Sequence, residues 1–323
     1  TTGANFLELD IGSAATSMGG AYVSVANDVS SAYWNPAGLA YINSKQTMFM
    51  YQPWIVGINN IYAGVAINYP LYGTLALTMN YMDYGDEAVT TVSNPEGTGE
   101  FYSASEFAAS VSYGRRIVNW FSFGASAKYI SSNIWHMSAN AIAFDLGVLV
   151  TTDFFSPTGK RNQGMKIGMS ISNYGTRLRY DGMDLLVPID PNPNEYGNFD
   201  DVEGLYNTSE WELPLIFRLG FSVQPIYTNN LRLLVAADAL HPNNNNESIN
   251  IGTQLTYLQP GKLNLYLRGG YKGLFLKDSE YGLTYGGGLR IYLSDFNFFD
   301  LDYTYKTMGL LGDVHLYTFK FSF

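Results

Sequence analysis

The chain of 323 residues contains 26 Tyr, 19 Phe and 33 Gly but only 14% charged residues, against about a quarter in ordinary soluble domains. The absence of cysteine excludes a disulfide scaffold, thiolate metal sites and a Cys nucleophile, and a net charge of −10 argues against a nucleic-acid partner, since nucleic-acid binders show a basic patch. No apolar run reaches the roughly 18 residues of a membrane helix, the nearest approach (141–150) being interrupted by Asp145, so a membrane protein with this sequence must cross as a closed barrel.

The chain opens at Thr1 with neither Met nor a charged and apolar leader, which fits a mature protein whose signal peptide has been removed. Residues 12–43, GSAATSMGGAYVSVANDVSSAYWNPAGLAYIN, lack period-two alternation and are dense in Gly, Ala and Ser. Asp28 is expected to cap a short helix over Val29–Tyr33, and Asn35 followed by Pro36 is a second helix start, with Gly38 permitting the exit. Gly19 and Gly20 allow close backbone approach. Tyr22, Val25, Val29, Tyr33, Trp34 and Leu39 are too much apolar surface to leave wet in so short a segment, so the rest of the chain must bury it.

The words SMGGAYVSVAND (Ser17–Asp28) and SSAYWNPAGLA (Ser30–Ala40) resemble the N-terminal plug signature of FadL-like outer-membrane barrels, and within them the PorV/PorQ branch. The Asn35 to Leu39 core is shared with the fatty-acid transporter FadL, whereas Met18-Gly19-Gly20-Ala21 through Trp34 is nearer the PorV wording. The resemblance implies a plug carrying Met18, Gly19, Gly20, Asp28, Trp34, Asn35, Pro36, Gly38 and Leu39, seated inside a transmembrane barrel. The expected division is residues 1–44 for the plug, with short helices, and 45–323 for the barrel.

From Lys45 onward the sequence breaks into segments of about ten residues with apolar positions alternating with small or polar ones, the signature of barrel strands. Fourteen are predicted: 45–52, 59–70, 73–84, 102–114, 119–132, 136–151, 164–174, 212–225, 229–240, 246–258, 262–273, 281–292, 297–307 and 312–323. In 262–273, Leu263, Leu265, Leu267 and Tyr271 point one way and Asn264, Tyr266, Arg268 and Lys272 the other. In 297–307, Phe299, Leu301, Tyr303 and Tyr305 alternate with Asp300, Asp302, Thr304 and Lys306. Alternation alone does not separate a membrane barrel from a soluble sandwich. Aromatic-ended apolar faces with hardly a charge favour lipid.

Loop lengths alternate in parity. Short turns fall at Pro70–Gly73, Arg115–Val118, Ile226–Thr228, Gln259–Gly261 and Leu293–Phe296, with only Thr152–Gln163 long on that side; the other side holds Gly85–Glu100 and the acidic Gly175–Trp211. Barrels of this class have short periplasmic turns, so both termini are expected to be periplasmic, in the bacterial outer membrane, with the plug entering from there.

Asp184, Asp190, Glu195, Asp200, Asp201, Glu203, Glu210 and Glu212 offer carboxylates for Ca²⁺, but their spacing matches no EF-hand and a solvated outer loop is the favoured reading. Inward positions hold Glu106, Lys128, Asp145, Lys166, Arg218, Arg232, Asp238, Arg268, Arg290, Asp300, Asp302, Lys306 and Lys320. Such a lumen either lines an aqueous channel or pairs its charges with one another and with the plug; pairing is favoured because unpaired charges in a confined lumen are costly. No hydrolase elbow, zincin motif or Walker loop is present, and His136, His241 and His315 lie near strand ends or on an outward face, so neither catalysis nor a cofactor is expected.

The last segment places Tyr317, Phe319, Phe321 and Phe323 outward, and its terminal aromatic, Phe323, resembles the signal read by the barrel-insertion machinery. The resemblance to PorV implies a type IX secretion component whose partners are outer-membrane lipid, a larger translocon or other outer-membrane protein, and secreted cargo recognised by its C-terminal domains. The alternative is a FadL-like channel for hydrophobic small molecules.

Overall fold

The computed structural model describes residues 1–323 except 192, 193, 195–201, 260, 278, 295 and 296. Among the described residues, fourteen long strands close into one antiparallel barrel. They are β1 (Gln46–Pro53), β2 (Asn59–Tyr69), β3 (Gly73–Ala88), β4 (Phe101–Val118), β5 (Phe121–Ile134), β6 (Met137–Thr151), β7 (Lys166–Gly175), β8 (Ile216–Tyr227), β9 (Leu231–Pro242), β10 (Ser248–Gln259), β11 (Leu263–Leu274), β12 (Leu283–Tyr292), β13 (Phe298–Thr307) and β14 (Asp313–Ser322). The seam closes where β1 meets β14, with Gln46 opposite Ser322 and Tyr51 opposite Tyr317. Just beyond it, Phe323 N–H donates to the Lys45 carbonyl (2.9 Å) and Lys45 N–H to the Phe323 carbonyl (3.1 Å). Closure leaves no unpaired strand edge, which a bilayer demands because it offers backbone groups no alternative partner.

The period-two pattern becomes two surfaces. On β13 and β14, Leu301, Tyr303, Tyr317, Phe319 and Phe321 are exposed on the outer wall, while Asp300, Asp302, Thr304, Lys306, Thr318 and Lys320 are buried inside. An apolar outside and a polar inside reverse the sense of a soluble sandwich.

The connections refine the predicted boundaries. The β4–β5 ladder continues to Val118 opposite Phe121, so the turn expected over Arg115–Val118 is only Asn119-Trp120. Likewise Gly85 does not begin a loop: a bulge between Asp83 and Asp86, with Gly85 at φ +79°, lets β3 carry on to Ala88, and the loop proper starts where Val89 N–H meets the Glu100 carbonyl. The segment 176–215 folds back on itself, with Asp181–Gly182 pairing onto β6 and Leu186–Ile189 pairing with Val202–Leu205. Pro260, Asp295 and Phe296 of the predicted turns, and Glu195, Asp200 and Asp201 of the acidic loop, lie outside the described residues.

Residues 3–44 are threaded through the lumen, and their course corrects the expectation that both termini share one side. Gly3 N–H donates to the Glu212 carbonyl (2.9 Å), and Asn244 Nδ2 reaches Thr2 Oγ1 (2.8 Å) and Glu8 Oε1 (3.0 Å), so the first residues lie at the long-loop end. Phe323 lies at the opposite end, hereafter the seam end, where the chain leaves the lumen to begin β1. Strand parity fixes the two ends of the barrel wall; it says nothing about a segment that then traverses the interior.

Candidate functional site

The plugged lumen is built from short pieces. A single 3-10 turn spans Asn5–Glu8, α1 spans Ser13–Ser17, α2 spans Ser31–Trp34, and a second 3-10 helix spans Pro36–Tyr41. Helices this short have no stability of their own in water, so the wall must hold them.

Small residues let α1 lie against the wall, where three threonines satisfy its ends. Ser13 N–H donates to Thr318 Oγ1 (2.9 Å), Thr304 Oγ1 donates to the Ser13 carbonyl (2.5 Å), and Thr284 Oγ1 donates to the Ser17 carbonyl (3.1 Å) while accepting from Gly19 N–H (2.9 Å). Gly19 and Gly20 follow with φ of +67° and +77°, a turn that side chains disfavour, and Gly19 also lies against the Tyr271 backbone. Met18 is fully buried. Its backbone rests on Gly252 and Gly270, paired wall residues at which any Cβ would collide with it.

The Asn35-Pro36-Ala37-Gly38-Leu39 core has a matching bed. Gly114, Gly124 and Gly147 stand opposite one another on β4, β5 and β6, and a Cβ on any of them would strike Asn35 or Pro36. Asn35 Oδ1 caps the 3-10 helix by accepting from Ala37 N–H (3.1 Å), while its Nδ2 donates to the carbonyls of Val23 (2.9 Å) and Val148 (3.0 Å). Gly38 touches the Ala26 carbonyl and Ser31 Oγ so closely that no side chain fits. Leu39 joins Ile11, Val29 and Ile42 in an apolar cluster with Met48 and Met50 of β1. Buried Trp34 donates Nε1–H to the Ile11 carbonyl (2.8 Å) and meets Tyr22 and Tyr33 edge-on.

Asp28 does not cap a helix over Val29–Tyr33. The helix begins at Ser31 with Ser30 as N-cap and no side-chain cap. Asp28 instead turns the chain ahead of it, accepting from Ser30 N–H (3.0 Å) and Ser30 Oγ (2.5 Å), and its second oxygen takes Lys320 (2.9 Å). The ion pair is worth more to the carboxylate than a helix amide one turn away, because Lys320 is itself buried.

The inward charges sort into groups. Arg268 binds Asp302 (2.6 Å), Arg290 grips Asp300 through two N–H groups (2.6 and 2.8 Å), and Lys320 lies between Asp28, Asp300 (3.5 Å) and Asp302 (3.3 Å). Lys128 pairs with Asp145 (2.6 Å) elsewhere on the wall. Asp238 accepts from the Tyr22 and Val23 N–H groups (2.7 and 2.9 Å), tying plug backbone to β9. Arg218 lies over the rings of Tyr33 (5.5 Å) and Trp34 (5.6 Å) and donates to Ser172 (2.9 Å). Glu106 accepts from Tyr84 (2.5 Å), away from these ion pairs. Lys166 and Arg232 have no ion pair among the described residues and face aromatic rings instead, Tyr41 at 5.2 Å and Tyr227 at 4.3 Å.

Sequence reasoning passed over Asp10, which joins Lys272 (2.6 Å) and Lys306 (3.1 Å). The available signal was a carboxylate next to Leu9 and Ile11 inside FLELDIG, a stretch too apolar to be exposed throughout. Burial alone would raise the Asp10 carboxyl, but the two ammonium groups outweigh it and hold the group well below the usual carboxylate range. The same balance lowers Asp28: burial opposes ionisation, and Lys320 with the Ser30 hydrogen bonds overcomes it. The wall glycines were also passed over, although Gly at inward positions of three adjoining strands marks a close backbone approach. Of the histidines, His136 lies 3.0 Å from Asp184, His241 3.0 Å from Glu247, and His315 2.8 Å from the Tyr303 hydroxyl.

Comparison with known proteins is consistent with this geometry. The toluene transporter TbuX of Ralstonia pickettii superposes with a TM-score of 0.58 at 12% identity, covering 97% of this chain and 98% of that one. The monoaromatic hydrocarbon channel CymD gives 0.56 at 11% identity, covering 97% of both chains. A FadL homologue of Pseudomonas aeruginosa gives 0.56 at 11% identity, covering 97% of this chain and 98% of that one. Identities this low speak for the fold alone. No curated protein sequence matches. The family profile described as type IX secretion system protein PorV matches residues 1–210, which hold the whole plug and more than half of the chain. The chain therefore belongs to the PorV family of type IX secretion system proteins, built on the FadL-like outer-membrane barrel.

Proposed function

We propose that this barrel works by recognition: in the bacterial outer membrane it docks with the type IX translocon and receives secreted proteins by their C-terminal domains. The observation that carries the reading is the plug, which runs from one end of the lumen to the other and is fixed to the wall by ion pairs and hydrogen bonds. A lumen filled in this way leaves the loops and the outer wall as the working surfaces. In this reading the long-loop end faces outward, presenting the tall β3–β4 hairpin and the 176–215 loop with exposed Leu205, Tyr206 and Trp211. The seam end with Phe323 faces the periplasm. Docking of this kind requires no catalytic group.

A second reading is supported by the fold shared with hydrocarbon channels, in which the plug would gate a path for small hydrophobic molecules. A gentle-detergent pull-down of the tagged barrel from its native membrane, followed by mass spectrometry, separates the two. Recovery of a giant translocon barrel or of secreted proteins bearing C-terminal domains is expected. A solitary barrel carrying bound lipid or hydrocarbon would overturn the first reading in favour of the second.

A further inference from the structure

At the seam end a cavity of about 520 Å³ lies between the lower part of the plug and the inner wall of β7 to β14. Its charges do not balance. Arg268, Arg290 and Lys320 are matched by Asp28, Asp300 and Asp302 in the network described above, three cations against three carboxylates. Lys166 and Arg232 also line the cavity, and neither meets a carboxylate among the described residues. Arg116 adds a third cation beside it, its guanidinium 4.6 Å from the centre of the Tyr41 ring that Lys166 also faces.

Three polar atoms here are buried without a hydrogen-bond partner among the described residues, Arg232 Nε, Gln224 Oε1 and Ser24 Oγ. A Gln amide turned by half a rotation presents its nitrogen instead, so Gln224 serves as a donor as readily as an acceptor. In a chain of net charge −10, half-buried Lys166 and Arg232 and exposed Arg116 gather cations around one cavity, and their mutual repulsion is not offset by ion pairing. A half-buried guanidinium whose Nε is buried and unpartnered, an ammonium group and a reversible amide around one polar space form a receptor for an oxyanion: Arg supplies a planar fork and Lys a compact point charge.

We infer that this cavity binds a small soluble anion bearing phosphate, held between Lys166 and Arg232 with Gln224 as a further donor. A multiply charged phosphoryl group suits cations placed on separate strands better than a single carboxylate does. Apart from Phe321 at the rim, the lining consists of plug and lumen-facing wall residues, so a free phosphate compound reaches the site more readily than a lipid headgroup, whose acyl chains remain with the outer wall. The inference does not depend on the secretion reading.

Calorimetric titration of the intact, detergent-solubilised protein at low salt tests it, with sodium pyrophosphate in one arm and a short-chain phosphatidylglycerol in the other. Saturable one-to-one binding of pyrophosphate that weakens with added salt is expected. K166Q and R232Q should each weaken it by about tenfold, the scale of one charge-assisted hydrogen bond. K160Q, which removes an exposed charge in the 152–165 turn, should leave it unchanged. Heat-modifiable mobility shows which variants are barrels. Absence of pyrophosphate binding by the unmodified protein overturns the inference even if the variants fail to insert. Binding only of the short-chain lipid, or unchanged affinity in both K166Q and R232Q, does the same.

Discussion

Asp10 holds Lys272 and Lys306 at once, so removing its charge leaves two buried ammonium groups without a partner. Asp10→Asn should destabilise the plug by about 3–5 kcal/mol, the cost of breaking a buried pair from one side. Hydrogen exchange over residues 5–25 measures it, and the wall amides should hardly change. The same pairs set a pH dependence. Both Asp10 and Asp28 have carboxyls lowered in the folded state, so their contribution is complete above the ordinary carboxylate value of about 3.9 and is lost as pH falls from there toward the lowered values. The share of plug protection that these two carboxylates supply, corrected for intrinsic exchange rates, should be lost only in acid below about pH 4. Protection that stayed unchanged on acidification through this range would show that these pairs are not what holds the plug.

At the scale of elements, the strands were legible because each residue of a barrel wall faces either lipid or lumen, and that choice is written into the sequence with period two. Tyr317, Phe319 and Phe321 against Thr318, Lys320 and Ser322 suffice to orient β14. The plug was less legible. Its buried aromatics and the Asn35-Pro36 start could be read locally, but Asp28 looks like a helix cap until Lys320, far along the chain, is seen beside it. The glycine bed for Asn35-Pro36 is a property of three strands in register and exists only once the barrel closes. Gly124→Val should therefore strike Pro36 and cost about 1–3 kcal/mol as overpacking, seen as faster exchange over 31–41 with the barrel still heat-modifiable. Unchanged exchange would mean that the plug does not lie on this bed. Deleting Phe323 removes the backbone pair with Lys45 and the terminal aromatic, and should reduce the amount of heat-modifiable barrel in the outer membrane. Normal amounts would count against its role in insertion.

For the whole molecule, the sequence indicated a barrel around a plug but not the direction in which the plug runs. Loop parity applies to the wall, whereas the position of Thr2 and Gly3 beside Asn244 and Glu212 follows from how the first forty or so residues pack inside. That course makes the plug a column joining the two ends of the lumen, anchored near the long loops by Gly3, in the middle by Asp10 and Asp238, and toward the seam end by Asp28 and Asn35. A column tied at so many levels suits a barrel that works by its surfaces. Planar-bilayer recording of the purified protein tests this most directly: the account predicts no stepwise conductance above the lipid baseline, and a stable ohmic conductance in the unmodified protein would contradict it.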